Sequence, residues 1–164
     1  LGCSYGDSLR LERLRYGKVI ILTDADADGM HIASLLMAFF FRYMKPLVTT
    51  GHLYLGLSPL YRVKTGSGTH EKVFWVYTEQ EKDRLVKEYS KKSKVYVTRF
   101  KGLGEMNPSS LWDTTLNPKT RNLLRIQIEN EAEAKQMFES LLGKDATERY
   151  QLIQENAHRL EVDL

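Results

Sequence analysis

Thr23-Asp24-Ala25-Asp26-Ala27-Asp28-Gly29 places three carboxylates on alternate positions, separated by alanines too small to shield them. Carboxylates this close repel one another by about 1 kcal/mol per pair in water and about 4 kcal/mol at a surface-like dielectric. A divalent cation removes that cost. An oxygen-only donor set, without His or Cys, selects a hard ion, and a Mg²⁺ that keeps several waters while binding a phosphate needs only one or two protein carboxylates.

Four chemistries compete for these residues. A solvated acidic turn leaves unexplained why so apolar a run, Val19-Ile20-Ile21-Leu22, ends in three acids. A calcium-binding EF-hand loop shares the Asp-x-Asp-x-Asp-Gly spacing, but it needs a preceding helix and a bidentate Glu at a position occupied here by Leu35. A phosphotransferase with an aspartyl nucleophile would employ Asp24 and Asp26, and the residues alone do not exclude it. It has no use for Asp28 or for the basic motif downstream. Metal-assisted phosphodiester chemistry, in which an ion stabilises charge on the attacked phosphate and the leaving oxygen, is the fourth.

The elements that must hold these groups are legible in the pattern of apolar residues. Residues 19–23 read as a strand buried on both faces, which implies a parallel sheet. Residues 32–44 read as a helix apolar almost all round, sandwiched between a sheet and another layer, and stopping near Pro46. Strands are expected at 53–55, 60–64 and 72–77, with a break at Pro59 and a turn at Gly66-Ser67-Gly68. Thr78 and Glu81 form a capping box for a polar helix running toward Lys92, followed by an alternating edge strand at 94–100. Asn107-Pro108 opens a short helix carrying Leu111 and Trp112, and Asn117-Pro118 marks a turn. A last strand at 123–128 and helices at 132–142 and 147–158 complete the pattern. The class is α/β, with residues 1–116 as the main domain and 117–164 as a small α-rich tail.

Bulk properties narrow the field less. A chain of 164 residues suits one compact domain with a small appendage, and its 42% hydrophobic, 27% charged composition is ordinary for a globular protein. The formal charge of +3 is too small to establish nucleic-acid binding. The single cysteine, Cys3, has no disulfide partner within the chain, as expected of a reducing cytoplasm. The longest apolar stretch, 32–41 broken by Ser34, falls short of the roughly 20 residues needed to cross a bilayer. The opening Leu-Gly-Cys-Ser lacks a signal peptide's pattern and suggests a piece of something longer.

The acidic run, continued through Met30-His31-Ile32, resembles the second acidic motif of the Toprim fold as it occurs in the B subunits of bacterial type IIA DNA topoisomerases, DNA gyrase and topoisomerase IV. Gly51-His52-Leu53-Tyr54-Leu55 and Ser58-Pro59-Leu60-Tyr61-Arg62-Val63-Lys64 are similar to the family's next strand and loop. Arg99-Phe100-Lys101-Gly102-Leu103-Gly104-Glu105-Met106-Asn107-Pro108 is the most specific signature. The likeness continues from Leu111-Trp112-Asp113-Thr114-Thr115 to Ile153-Gln154-Glu155-Asn156-Ala157, essentially the whole chain.

The resemblance implies a Rossmann-like parallel sheet flanked by helices, with Asp24 and Asp26 as direct Mg²⁺ ligands and Asp28 as a third carboxylate, bound directly or through water. The number of ions, one or two, stays open. His31 would lie beside the scissile backbone as a hydrogen-bond donor. Lys101 would contact DNA phosphate, its neighbouring glycines letting the backbone approach a ligand or take positive φ; Arg99, Arg62 and Lys64 would add nonspecific phosphate contacts. Further implied are double-stranded DNA as substrate, an A subunit carrying the catalytic tyrosine, the rest of the B subunit with its ATP-binding module, an A2B2 heterotetramer, and a cytoplasmic setting without a membrane.

The chain departs from the family in one respect. The family's first strand carries a glutamate in Glu-Gly-Asp-Ser, whereas Tyr5-Gly6-Asp7-Ser8 matches only three letters and lies too close to residues 19–23. Asp7 does not inherit the role, and the Toprim domain is expected to be incomplete at its N-terminus. None of the nine tyrosines has the setting of a nucleophile, so this polypeptide alone should cut nothing. A Toprim nuclease or primase acting without an A subunit, and more distantly a calcium-binding module, are the alternatives.

Overall fold

The computed structural model describes residues 1–157, and the chain forms two compact units, Leu1–Ile126 and a second beginning at Gln127. In the first unit β1 (Val19–Ile21) leads through an acidic turn into α1 (Ala27–Tyr43) and the short α2 (Lys45–Thr49), then into β2 (Leu53–Leu57). β1 and β2 pair in parallel, Ile20 opposite Tyr54, so β1-α1-β2 is a crossover unit. β6 (Asn122–Arg125) closes the other side of β2 in antiparallel register, giving the order β1-β2-β6. The expected parallel pairing is present between β1 and β2, and an antiparallel third strand extends it. The 19–23 run is also shorter and less enclosed than expected: β1 is an edge strand, and only Ile21 in it is buried.

A second, wholly antiparallel sheet has the order β4-β3-β5, from β3 (Tyr61–Thr65), β4 (Lys72–Val76) and β5 (Val95–Arg99). Strict alternation puts Tyr61, Val63 and Thr65 inward, where Tyr61 and Val63 cluster with Val76 and with Leu85 from α3 (Glu79–Tyr89). Thr78 caps α3 by accepting the Glu81 amide, as the Thr-x-x-Glu spacing predicts. Pro59 is buried where β2 ends and β3 begins, and the Leu60 amide donates to the Val76 carbonyl, fixing the start of β3. β5 lies at an edge, as expected for residues 94–100, although its exposure does not strictly alternate.

α4 (Pro108–Leu111) begins as expected, with the Asn107 side chain accepting the Ser110 amide at 2.8 Å. It widens into a π-type turn over Trp112–Leu116, closed by the Asn117 amide on the Trp112 carbonyl. Buried Thr114 and Thr115 anchor this turn, Thr115 donating to the Ser58 hydroxyl. β6 lies beyond the 116/117 position where the tail is expected to begin, yet its register with β2 places it in the first unit.

α1 is apolar nearly all round, as the sequence indicates, but within this unit it buries only Gly29, Ala33 and Phe40. Ile32, Leu36, Phe39 and Tyr43, at helical spacing, remain 39–51% exposed. The second covering layer anticipated for this helix is not among the described residues. No helix of the described residues is long and apolar enough to cross a membrane.

The second unit is a helical pair, α5 (Glu131–Leu142) and α6 (Thr147–Asn156). Asn130 caps α5 by accepting the amides of Ala132 and Glu133, and Arg149 of α6 donates to the Gly143 carbonyl at 2.7 Å. His158, the expected end of the last helix, lies outside the described residues.

Candidate metal and nucleic-acid site

The acidic turn sits at the C-terminal end of β1, where a parallel pair of strands characteristically presents its ligand site. The turn is tight because Gly29 is buried against the Asp24 backbone, where a Cβ would come within 2.1 Å of the Asp24 carbonyl oxygen. Asp26 is the N-cap of α1: its Oδ1 accepts the Gly29 amide at 2.7 Å, so the helix begins at Ala27 and not after Gly29 as the apolar pattern suggests. Asp28 lies exposed in the first turn of α1, and His31 is exposed one turn further along.

Asp24 turns the other way. Its Oδ1 accepts the Leu103 amide at 2.7 Å across 79 residues of sequence, which brings the Lys101-Gly102-Leu103 loop against the acidic turn. Position 102 must be small for this approach, since a Cβ there would lie 3.2 Å from both Cγ and Oδ1 of Asp24. Gly102 has φ −145°, an extended conformation open to any residue. The expectation of positive φ in this loop is therefore not met, and the close approach is to a carboxylate of the same chain. At Gly104 a Cβ would meet no protein atom within 4 Å.

The loop is held at both ends. On the strand side, β5 delivers it through Phe100, which is buried and whose amide donates to the Leu60 carbonyl at 2.8 Å. Within the loop, Glu105 reaches back to accept the Lys101 amide at 2.9 Å. The Lys101 side chain is thus exposed on a braced backbone beside the acidic turn. Ala25, Ser58, Pro59, Phe100, Gly102, Leu103 and Met106 line a small cleft at this junction.

The remaining basic residues are placed differently. Arg99 is exposed at the end of β5, opposite Tyr61 in register. Arg62 lies over the Phe100 ring at 5.9 Å and donates to the Thr98 hydroxyl at 3.4 Å. Its Nε is buried without a partner among the described residues. Lys64 pairs with Glu71 at 3.0 Å. Asp24 therefore meets the 100–106 loop at Gly102 and Leu103, while Asp26, Asp28 and His31 follow it into α1, and Arg62 and Lys64 are engaged on the antiparallel sheet. Sequence reasoning missed the Leu103 amide, which is a backbone group, and the brace supplied by Glu105.

For magnesium, the donor set is chemically apt: Asp24 and Asp26 each commit one oxygen to a backbone amide, and carboxylates oriented in this way suit a hard ion that retains most of its waters. Among the described residues no three His, Cys, Asp or Glu side chains gather as a metal-holding group.

Residues 3–55 match the Toprim domain, and residues 92–154 match the family described as DNA gyrase B subunit, carboxyl terminus. The chain is 44% identical over its full length to the DNA gyrase B subunit of Thermotoga maritima, covering 25% of that protein. It is 47% identical over 94% of its length to the DNA gyrase B subunit of Thermus thermophilus, covering 24% of it. With the DNA topoisomerase 4 B subunit of Staphylococcus epidermidis it shares 42% identity over 95% of its length, covering 23%. The chain spans about a quarter of the length of these curated relatives. Gyrase and topoisomerase IV proteins match it about equally well, and the chain belongs to the family of type IIA topoisomerase B subunits, of which it carries Toprim and carboxyl-terminal sequence.

Proposed function

We propose that this chain is the magnesium-carrying part of the DNA breakage and reunion core of a type IIA topoisomerase, with Asp24 and Asp26 as ligands and Asp28 acting directly or through water. The observation that supports this reading most is the 2.7 Å bond from the Leu103 amide to Asp24, which sets an acidic turn and an exposed lysine at one place. A bound Mg²⁺ supplies Lewis-acid stabilisation of charge on a phosphodiester. The chain's own residues do the positioning: Asp24 and Asp26 orient carboxylate oxygens, Lys101 holds the DNA backbone, and His31 donates to phosphate. Arg99, Arg62 and Lys64 are secondary phosphate contacts, Arg62 being bonded to Thr98 and Lys64 paired with Glu71.

The reaction is reversible transesterification. A tyrosine oxygen of the A subunit attacks phosphorus and the deoxyribose oxygen leaves; religation is the reverse exchange, so the phosphodiester is conserved without hydrolysis. The working assembly is an A2B2 heterotetramer on double-stranded DNA in the bacterial cytoplasm, with ATP bound by a part of the B subunit outside this sequence. Without the A-subunit tyrosine the chain cuts nothing. A Toprim nuclease or primase gives no account of the match over 92–154. A calcium-binding EF-hand gives none of a strand preceding the acidic turn.

Asp26→Asn in the full B subunit, assembled with the A subunit, tests this directly, because asparagine is as good an N-cap as aspartate and leaves α1 intact while removing the charge. Magnesium-dependent DNA cleavage is expected to disappear and ATP hydrolysis to persist. Cleavage at the parental rate would end the proposal.

A further inference from the structure

The Lys101-Gly102-Leu103 loop does something besides presenting a lysine. We infer that Gly102 and the Leu103 amide are positioning groups that set the orientation of the Asp24 carboxylate for metal binding, an inference that rests on the reading of Asp24 as a magnesium ligand. Three observations converge on it. The Leu103 amide donates to Oδ1 of Asp24 at 2.7 Å. A Cβ at position 102 would stand 3.2 Å from Cγ and Oδ1 and 3.4 Å from Oδ2, so any larger residue there would press on the carboxylate. Glu105 accepts the Lys101 amide at 2.9 Å and Phe100 is pinned to Leu60, so the loop that presents these groups is itself braced.

Asp24 is exposed and otherwise rotates freely about two bonds. Held through one oxygen by a backbone donor and walled on one side by a glycine, it keeps its second oxygen available in a fixed direction. That is the role outer partners play for metal-ligating carboxylates, and losing such a partner typically weakens metal affinity about 10- to 100-fold. The same contacts couple the two halves of the site: whatever displaces the basic loop also turns a magnesium ligand.

The test is Mn²⁺ titration by electron paramagnetic resonance on the full B subunit, comparing the parent with Gly102→Ala, Gly102→Val and Asp24→Asn. A graded loss is expected, small for alanine, where the carboxylate yields by a few tenths of an ångström, and about tenfold or more for valine. Parental affinity in Gly102→Val, with affinity lost in Asp24→Asn, overturns the positioning role and leaves the metal reading standing. Parental affinity in Asp24→Asn removes the metal reading itself. Should the valine variant fail to fold, hydrogen exchange decides on otherwise native protein. The Leu103 amide is expected to exchange slowly in the parent and faster in Asp24→Ala, and equal exchange in the two overturns the inference.

Discussion

At the residue scale, each of two carboxylates in the acidic turn answers to a different backbone amide. Asp26 accepts from Gly29 in its own helix and Asp24 from Leu103 in a distant loop. Charge repulsion among three aspartates is the reason the turn is proposed to take up a cation; the amides hold one oxygen of each of two of them. Lys101 is the basic residue on the proposed DNA path whose backbone is braced on both sides, by Phe100 and by Glu105. Lys101→Ala in the assembled enzyme is therefore expected to weaken DNA binding uniformly across sequences and to lower the slope of log affinity against log salt by about one. Fluorescence anisotropy at several salt concentrations on two unrelated duplexes measures this, and a changed base preference would reassign the residue.

At the element scale, local signals are legible directly in the sequence. The Thr78 and Asn107 caps and the β3 alternation follow from turn chemistry and side-chain periodicity. Long-range facts are not. The antiparallel placement of β6 beside β2 and the edge position of β1 depend on which strands pair across the chain, and a run as apolar as 19–22 reads as enclosed whether or not both neighbours are present. The start of α1 escapes the apolar pattern because Asp26 is polar and acts as the helix cap, ahead of the first apolar-periodic residue. The site is legible as residue types; its assembly through a backbone amide carries no side-chain signal.

One contact ties the end of β4 to β6. Tyr77 is partly buried and shares a side-chain hydrogen bond with Asn122; burial, the larger influence, raises the phenol's pKa above its usual 10.0, with Glu81 adding to the rise and the Asn122 bond opposing it. The neutral phenol is thus favoured in the fold. Below pH 10 both folded and unfolded chains keep the proton; above it the unfolded chain loses the proton first, so stability falls as pH rises toward the folded value. Chemical denaturation across about pH 9 to 11 is expected to show a decline that is smaller in Tyr77→Phe. An identical decline in both would place the effect on other groups.

At the scale of the whole molecule, the sequence spans about a quarter of its curated relatives, and its helix α1 presents a stripe of Ile32, Leu36, Phe39 and Tyr43 that the described residues leave exposed. A contiguous apolar stripe of this kind promotes association in water. The isolated 164-residue chain is expected to self-associate with rising concentration in sedimentation velocity, and Phe39→Glu to reduce that association; a parent that stays monomeric at all concentrations would show that the stripe is too small to matter. With a formal charge of only +3, the proposed attraction to DNA would have to come from local basic residues such as Lys101 and not from the net field.

The central claim is that a metal position lies between the acidic turn and the Lys101 loop. Replacing Mg²⁺ by Fe²⁺ in the full B subunit and adding peroxide and ascorbate generates hydroxyl radicals at the bound ion, and mass spectrometry locates the resulting backbone cuts. The account predicts two clusters of cuts, within 24–28 and within 101–105, both lost on competition with excess Mg²⁺. Cuts confined to one of these segments, or falling elsewhere in the chain, would contradict it.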